Sequence, residues 1–211
     1  DLFNLTNVLN NAPDATYVAQ VDQVVNVDQW LRWFAVEAML GNRETNIGNG
    51  IGDDYAMYRG VSDPRFVLLP HDLDTIFGMG GASGVNDNIF LAANLPAISR
   101  FIRNPTFVGR YYAELVSLVN NEFSPEKINP LIDHVLGGVV SGTTIAALKQ
   151  YAVDRCASVL SQIPRQFTIT AGPSLVGGYY RSTSSTATIN GTADVAATRS
   201  VLVGGQPAVY T

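Results

Sequence analysis

Arg65-Phe66-Val67-Leu68-Leu69-Pro70-His71-Asp72-Leu73-Asp74 joins a short apolar run to a pair of carboxylates. The run predicts a strand, and Tyr55-Ala56-Met57-Tyr58 upstream has the same apolar and aromatic character. Between them Gly60-Val61-Ser62-Asp63-Pro64 has the chemistry of a turn, so the two runs read as a hairpin. Asp72 and Asp74 are two residues apart: on a continuing strand they share a face, and on a broken one they flank a turn. Either way two carboxylates lie close together and repel unless a cation or a proton intervenes. Such hard oxygen ligands suit Mg²⁺, Mn²⁺ or Ca²⁺. An isolated Asp-x-Asp is more often a pair of caps than a metal site, so its surroundings decide.

Upstream, Asn26 followed by Gln29 has the pattern of a capping box, and Val27, Trp30, Leu31, Phe34 and Ala38 recur at helical spacing. These predict a helix over 27–40 that ends at Gly41. The segment 42–53 is rich in Gly and Asn and reads as a loop, which holds Glu44 and Asp53 and leads into Asp54. Folded back by the hairpin, that loop would bring Glu44, Asp53 and Asp54 toward the strand end that carries Asp72 and Asp74. Phe77-Gly78 follows, and glycines at 78, 80, 81 and 84 make a flexible connector.

Helical patterns resume near 91–103, 105–121, 124–136 and 141–163, predicting a helical bundle. From about 166 the composition turns to Thr, Ser, Gly, Val and Ala, with alternating runs at 167–170, 187–189 and 200–203. Four or five strands are too few for an ordinary sandwich of about seven. The expected fold class is therefore α+β, with a helical lobe carrying a short hairpin over 1–165 and a small β segment or partial β-sandwich over 166–211.

Of 211 residues, 46% are hydrophobic and 15% charged, the net charge is −5, and only Lys127 and Lys149 are lysines. A chain of this charge is not built to hold a nucleic acid. No apolar run reaches the length of a membrane span. Cys156 is the single cysteine, inside a helical pattern, and reads as a buried thiol. The chain starts without Met in Asn-rich sequence, which reads as an internal cut in a longer polypeptide.

Taken in order, Asn26-Val27-Asp28, Leu31-x-x-Phe34-Ala35-Val36-Glu37, Gly41-Asn42-Arg43-Glu44, Tyr55-x-Met57-Tyr58 and Pro70-His71-Asp72-Leu73-Asp74-x-x-Phe77-Gly78 resemble successive motifs of the spore-coat protein H (CotH) kinase family, over about residues 24–80. The resemblance implies the C-terminal portion of an atypical protein-kinase-like domain that transfers phosphate from ATP, with Mg²⁺ or Mn²⁺, to serine on secreted or coat proteins of bacteria. It places Glu44 where the family has a loop Asp, as catalytic base or metal ligand, and Asp72 at the family's metal-binding Asp with Asp74 beside it. Asp54 stands in place of an Asn and His71 in place of a Trp. Catalytic roles thus fall to Glu44 and Asp72, and metal or nucleotide binding to Glu44, Asp54, Asp72 and Asp74.

A kinase also needs a cation on the nucleotide phosphates, usually a Lys, and no Lys precedes Lys127 here. The nucleotide half of the site is then expected from the polypeptide upstream of Asp1, with the fragment alone inactive. The resulting expectation is metal-dependent phosphoryl transfer to protein serine by a larger, extracellular or cell-surface bacterial protein. The alternative is a non-catalytic surface protein, a pseudokinase, whose acidic cluster binds Ca²⁺ structurally.

Overall fold

The computed structural model describes residues 1–45, 47, 50, 54–81, 84–194, 197–198 and 200–209. Asp53, one of the expected acidic residues, lies outside the described residues. The fold is α+β, and the chain divides into two compact units, Asp1–Gln162 and Ile163–Thr211.

The first unit opens with α1 (Leu2–Asn11) and α2 (Asp14–Val24), which the sequence reading did not anticipate. Leu5, Val8 and Leu9 form a buried stripe on α1, and Tyr17, Val21 and Val24 form one on α2, each at helical spacing. Asp1 caps α1 by accepting a 2.9 Å hydrogen bond from the Asn4 amide. The many asparagines of α1 point outward and hide this period.

α3 (Val27–Leu40) is the central helix. Its start and end are as expected: Asn26 accepts from the Gln29 amide at 3.2 Å, and Gly41 closes the helix in the left-handed conformation at φ 69°. Trp30, Leu31, Trp33, Phe34, Ala35 and Met39 are all buried, which makes α3 apolar around most of its circumference. Trp30 meets Phe34 and Phe101 edge to face, at ring-centroid distances of 6.4 and 5.6 Å.

β1 (Tyr55–Arg59) and β2 (Phe66–Pro70) form the predicted antiparallel hairpin, with Met57 opposite Leu68. The second half of the expected capping box is absent. The Gln29 side chain turns away from Asn26 and binds the edge of β2, donating from Nε2 to the Leu68 carbonyl at 2.6 Å and accepting at Oε1 from the Leu68 amide at 2.9 Å. The Phe66 carbonyl also accepts from the Asn26 amide at 3.0 Å and from Trp30 Nε1 at 2.9 Å. The N-terminal turn of α3 thus serves as a neighbour for β2, satisfying an edge strand in a two-stranded sheet.

α4 (Pro96–Ile102), α5 (Pro105–Asn120), α6 (Pro125–Leu136) and α7 (Gly142–Gln162) complete the unit. The first three begin with Pro in the first turn, where its missing N–H costs nothing. α4 is shorter than the apolar pattern predicts, because residues 89–92 form turns and 93–95 are irregular. α5 and α7 pack on α3, and α6 packs on α7 through Ile128, Ile132, Leu148 and Ala152. Cys156 is half-buried on α7, and burial pushes its thiol up to about 11, which keeps it protonated.

In the second unit β3 (Thr168–Ala171) pairs with β6 (Ile189–Thr192), β4 (Ser174–Val176) with β5 (Tyr179–Arg181), and β7 (Leu202–Val203) with β8 (Gln206–Pro207). Among the described residues these are six short strands, where four or five are expected from the sequence, paired as antiparallel ribbons. Among the described residues no helix is long and apolar enough to cross a membrane.

Candidate metal centre

The C-terminus of α3 delivers the chain into the site. After Gly41, Asn42 is buried and its Oδ1 accepts a 2.8 Å hydrogen bond from the Glu44 amide. Thr75 Oγ1 lies 3.0 Å from Glu44 Oε2 and 3.3 Å from Asn42 Oδ1. A hydroxyl has one hydrogen, so it serves these two acceptors in turn. The Phe77 amide donates to the Leu40 carbonyl at 2.8 Å, which clamps the segment after β2 onto the end of α3. Asp54 links the loop to the hairpin exit: its amide donates to the Glu44 carbonyl and its carbonyl accepts from the His71 amide, both at 3.2 Å.

These contacts bring Glu44, Asp54 and Asp74 together, with one carboxylate oxygen from each lying within 4.8 Å of the others. Asp54 is buried, whereas Glu44 and Asp74 are exposed. Asp72 is not one of the three. β2 ends at Pro70, so the strand does not carry Asp72 and Asp74 on a common face. Asp72 instead takes a left-handed backbone at φ 47°, which breaks the strand geometry before Asp74. Phe77 is left-handed as well, at φ 54°, and an aromatic residue there carries strain of the kind found at functional sites. Gly80, at φ 60°, sets its backbone against that of Asp74: a Cβ on it would lie 2.7 Å from the Asp74 carbonyl oxygen.

Glu37 was quoted in the sequence only as part of a helical motif, and the structure gives it a larger place. It sits one turn before the end of α3 with 1% of its surface exposed. Neither carboxylate oxygen has a hydrogen-bond partner among the described residues. Burial pushes its pKa up to about 7; the Asn42 side chain, near enough to favour the charged form although no formed hydrogen bond joins the two, opposes the rise, and the Asp54 charge adds to it. The signal was legible in principle, since position 37 continues the core-facing row of Trp30 and Phe34 and an acid on that row cannot reach water.

Arg155 of α7 is likewise buried. Its Nε and Nη2 donate to the Ala38 carbonyl at 3.0 and 2.9 Å, and its Nη1 donates to the carbonyls of Val85 and Asp87 at 2.8 and 2.6 Å. One guanidinium thus ties the end of α3 to the connector after the acidic segment. Burial lowers its pKa. Arg43, beside Glu44, pairs with Asp87 at 2.6 Å near the surface.

Three carboxylate oxygens gathered this tightly form an arrangement that like-charge repulsion opposes and a divalent cation favours. The all-oxygen donor set fits Mg²⁺, Mn²⁺ or Ca²⁺ and does not resemble a zinc site.

A helical unit whose central helix runs into an acidic loop, a hairpin and an Asp-Leu-Asp-x-x-Phe-Gly block is a fold with a family. Residues 1–152 match the family described as CotH kinase protein, and the chain belongs to it. Among individual proteins it resembles inner spore coat protein H of Bacillus subtilis (strain 168), with 25% identity over 126 residues. That alignment takes in 59% of this chain and 33% of the relative, so the chain spans about a third of the relative's length.

Proposed function

We propose that the chain contributes the cation-holding part of a protein that transfers phosphate from ATP to serine hydroxyls. The observation that carries this reading is the convergence of Glu44, Asp54 and Asp74 from three separate segments. In this reading buried Asp54 and exposed Glu44 and Asp74 would together hold the cation. A bound Mg²⁺ or Mn²⁺ supplies charge neutralisation on the transferring phosphoryl group. Asp72 is exposed and outside the trio; in this reading it would accept the proton of the serine hydroxyl as that oxygen bonds to the γ-phosphorus and the bond to the β–γ bridging oxygen breaks. Thr75, by hydrogen-bonding Glu44, fixes one rotamer of that ligand. The acceptor would be a surface or coat protein of a bacterium, a reading supported by the coat assignment of the Bacillus subtilis relative.

The test is full-length protein incubated with labelled ATP, Mn²⁺ and a serine-containing coat-type polypeptide. Phosphoserine should form, and Asp74→Asn and Asp72→Ala should each abolish it. Unchanged labelling in either variant defeats the corresponding role. A melting temperature raised equally by Ca²⁺, by Mg²⁺ and by Mg²⁺ with ATP, with no phosphoserine formed, points instead to a structural calcium site.

A further inference from the structure

At the C-terminal end of α3 lies a cavity of about 10 Å³ whose walls include Glu37, Asn42, Arg155, Ala38 and Leu91. Its polar wall is unsatisfied. Both Glu37 oxygens and Asn42 Nδ2 lack hydrogen-bond partners among the described residues, although these residues are only 1% and 3% exposed. Buried polar groups are costly to leave unpaired and are nearly always satisfied by protein or by ordered water. Arg155 adds a donor, since Nη2 carries two N–H bonds and its one hydrogen bond goes to the Ala38 carbonyl. A space of about 10–15 Å³ with two to four polar partners holds one ordered water.

We propose that a single water occupies this cavity and bridges the Glu37 carboxylate, Asn42 Nδ2 and the Arg155 guanidinium, making Glu37 a positioning residue for Asn42. The two ends of the Asn42 amide then have opposite duties. Nδ2 faces the water and Glu37, while Oδ1 receives the Glu44 amide and the Thr75 hydroxyl. Rotating the amide by half a turn would set NH₂ against the Glu44 N–H, donor against donor. Glu37 and its water therefore select the rotamer that holds the Glu44 loop in place. The link to cation binding rests on the reading of Glu44 as a cation ligand; the water itself does not.

High-resolution crystal structures of the full-length protein and of Glu37→Leu, with Mn²⁺ titrations of both and of Glu37→Gln, test the inference. The parent should show one water touching all three groups. Glu37→Leu should lose it, show the Asn42 amide displaced from the Glu44 N–H, and bind Mn²⁺ at least about tenfold more weakly, as loss of an outer-shell partner does. Glu37→Gln, which can still accept from the water, should bind Mn²⁺ close to the parent. An empty cavity in the parent, an unmoved Asn42 in Glu37→Leu, or Glu37→Gln as weak as Glu37→Leu overturns the inference. If Glu37→Leu does not fold, the parent structure and the Glu37→Gln titration decide. If the parent binds no Mn²⁺, the cation reading fails while the water and the Asn42 rotamer still stand or fall by crystallography.

Discussion

Gln29 and Leu68 exchange two hydrogen bonds, so one side-chain amide on α3 takes the place of a third strand beside β2. The hairpin has only two strands, and a two-stranded hairpin is marginal in water without something to pack on. Gln29 holds its inner strand at the residue, Leu68, that is fully buried. The position of Asp72 and Asp74, a few residues beyond β2, depends on that hold.

Replacing Gln29 with Leu should therefore cost more than an ordinary surface substitution. It leaves both the amide and the carbonyl of Leu68 without partners, and each orphan costs about 1–3 kcal/mol. Chemical denaturation should show a lower midpoint with an unchanged slope, which separates lost stability from a changed unfolded state. A loss below about 0.5 kcal/mol, the range of surface changes, would mean that the strand edge finds water instead.

Glu37 makes stability depend on pH in a stated direction. Its folded pKa, about 7, lies above the ordinary value of 4.5, so the folded state binds the proton more tightly than the unfolded chain does. Metal-free protein should lose stability as pH rises from about 4.5 to 7 and then level off, with up to about 3 kcal/mol at stake. Glu37→Gln, which cannot titrate, should flatten that slope. Urea melts at a series of pH values measure it, and an unchanged slope in the variant would assign the effect elsewhere.

Arg155 is buried with no carboxylate partner among the described residues and directs its charge at carbonyls of Ala38, Val85 and Asp87. Arg155→Leu frees these acceptors inside the fold, and a cost of about 3 kcal/mol follows from hydrogen bonds to a charged donor. Arg155→Lys keeps the charge but cannot span both segments, because an ammonium lacks the planar fork. It should recover only part of the loss in thermal melts; full recovery would show that charge alone matters.

Which parts of this arrangement the sequence shows depends on the range of the forces involved. α3 and the hairpin are legible because caps, period and turn residues are local, and Asn26, Gly41 and the 60–64 turn act within a few residues of themselves. The fate of Gln29 is not local: the capping pattern is real, but a strand 39 residues away offers its side chain two hydrogen bonds at once. α1 and α2 are hidden by their polar faces, since asparagines in α1 and Asp, Thr and Gln in α2 dilute a stripe that only three residues per helix define. The order of motifs points to Glu44, Asp54, Asp72 and Asp74 as a set. It does not show which of them the backbone gathers, because Asp72 leaves the strand in a left-handed conformation, a backbone state that many residues can adopt and few announce.

Gly80 offers the sharpest test of how the turn positions Asp74. A methyl group there would meet the Asp74 carbonyl oxygen at 2.7 Å, on a backbone at φ 60° that alanine adopts only with strain. The loop must move to accept Gly80→Ala, at a cost of about 1 kcal/mol for the left-handed residue alone. Because the clash falls on the Asp74 backbone, relief shifts Asp74 relative to Glu44 and Asp54, which stay anchored by their own hydrogen bonds to Asn42, Thr75 and His71. Mn²⁺ binding should weaken more than melting temperature falls. Gly81→Ala is the control: its φ of 96° is strained too, but a Cβ there meets nothing within 4 Å. It should lower stability while leaving Mn²⁺ affinity near that of the parent. Calorimetric titration of both variants decides, and equal losses of affinity would show that loop strain in general, and not contact with Asp74, governs the site.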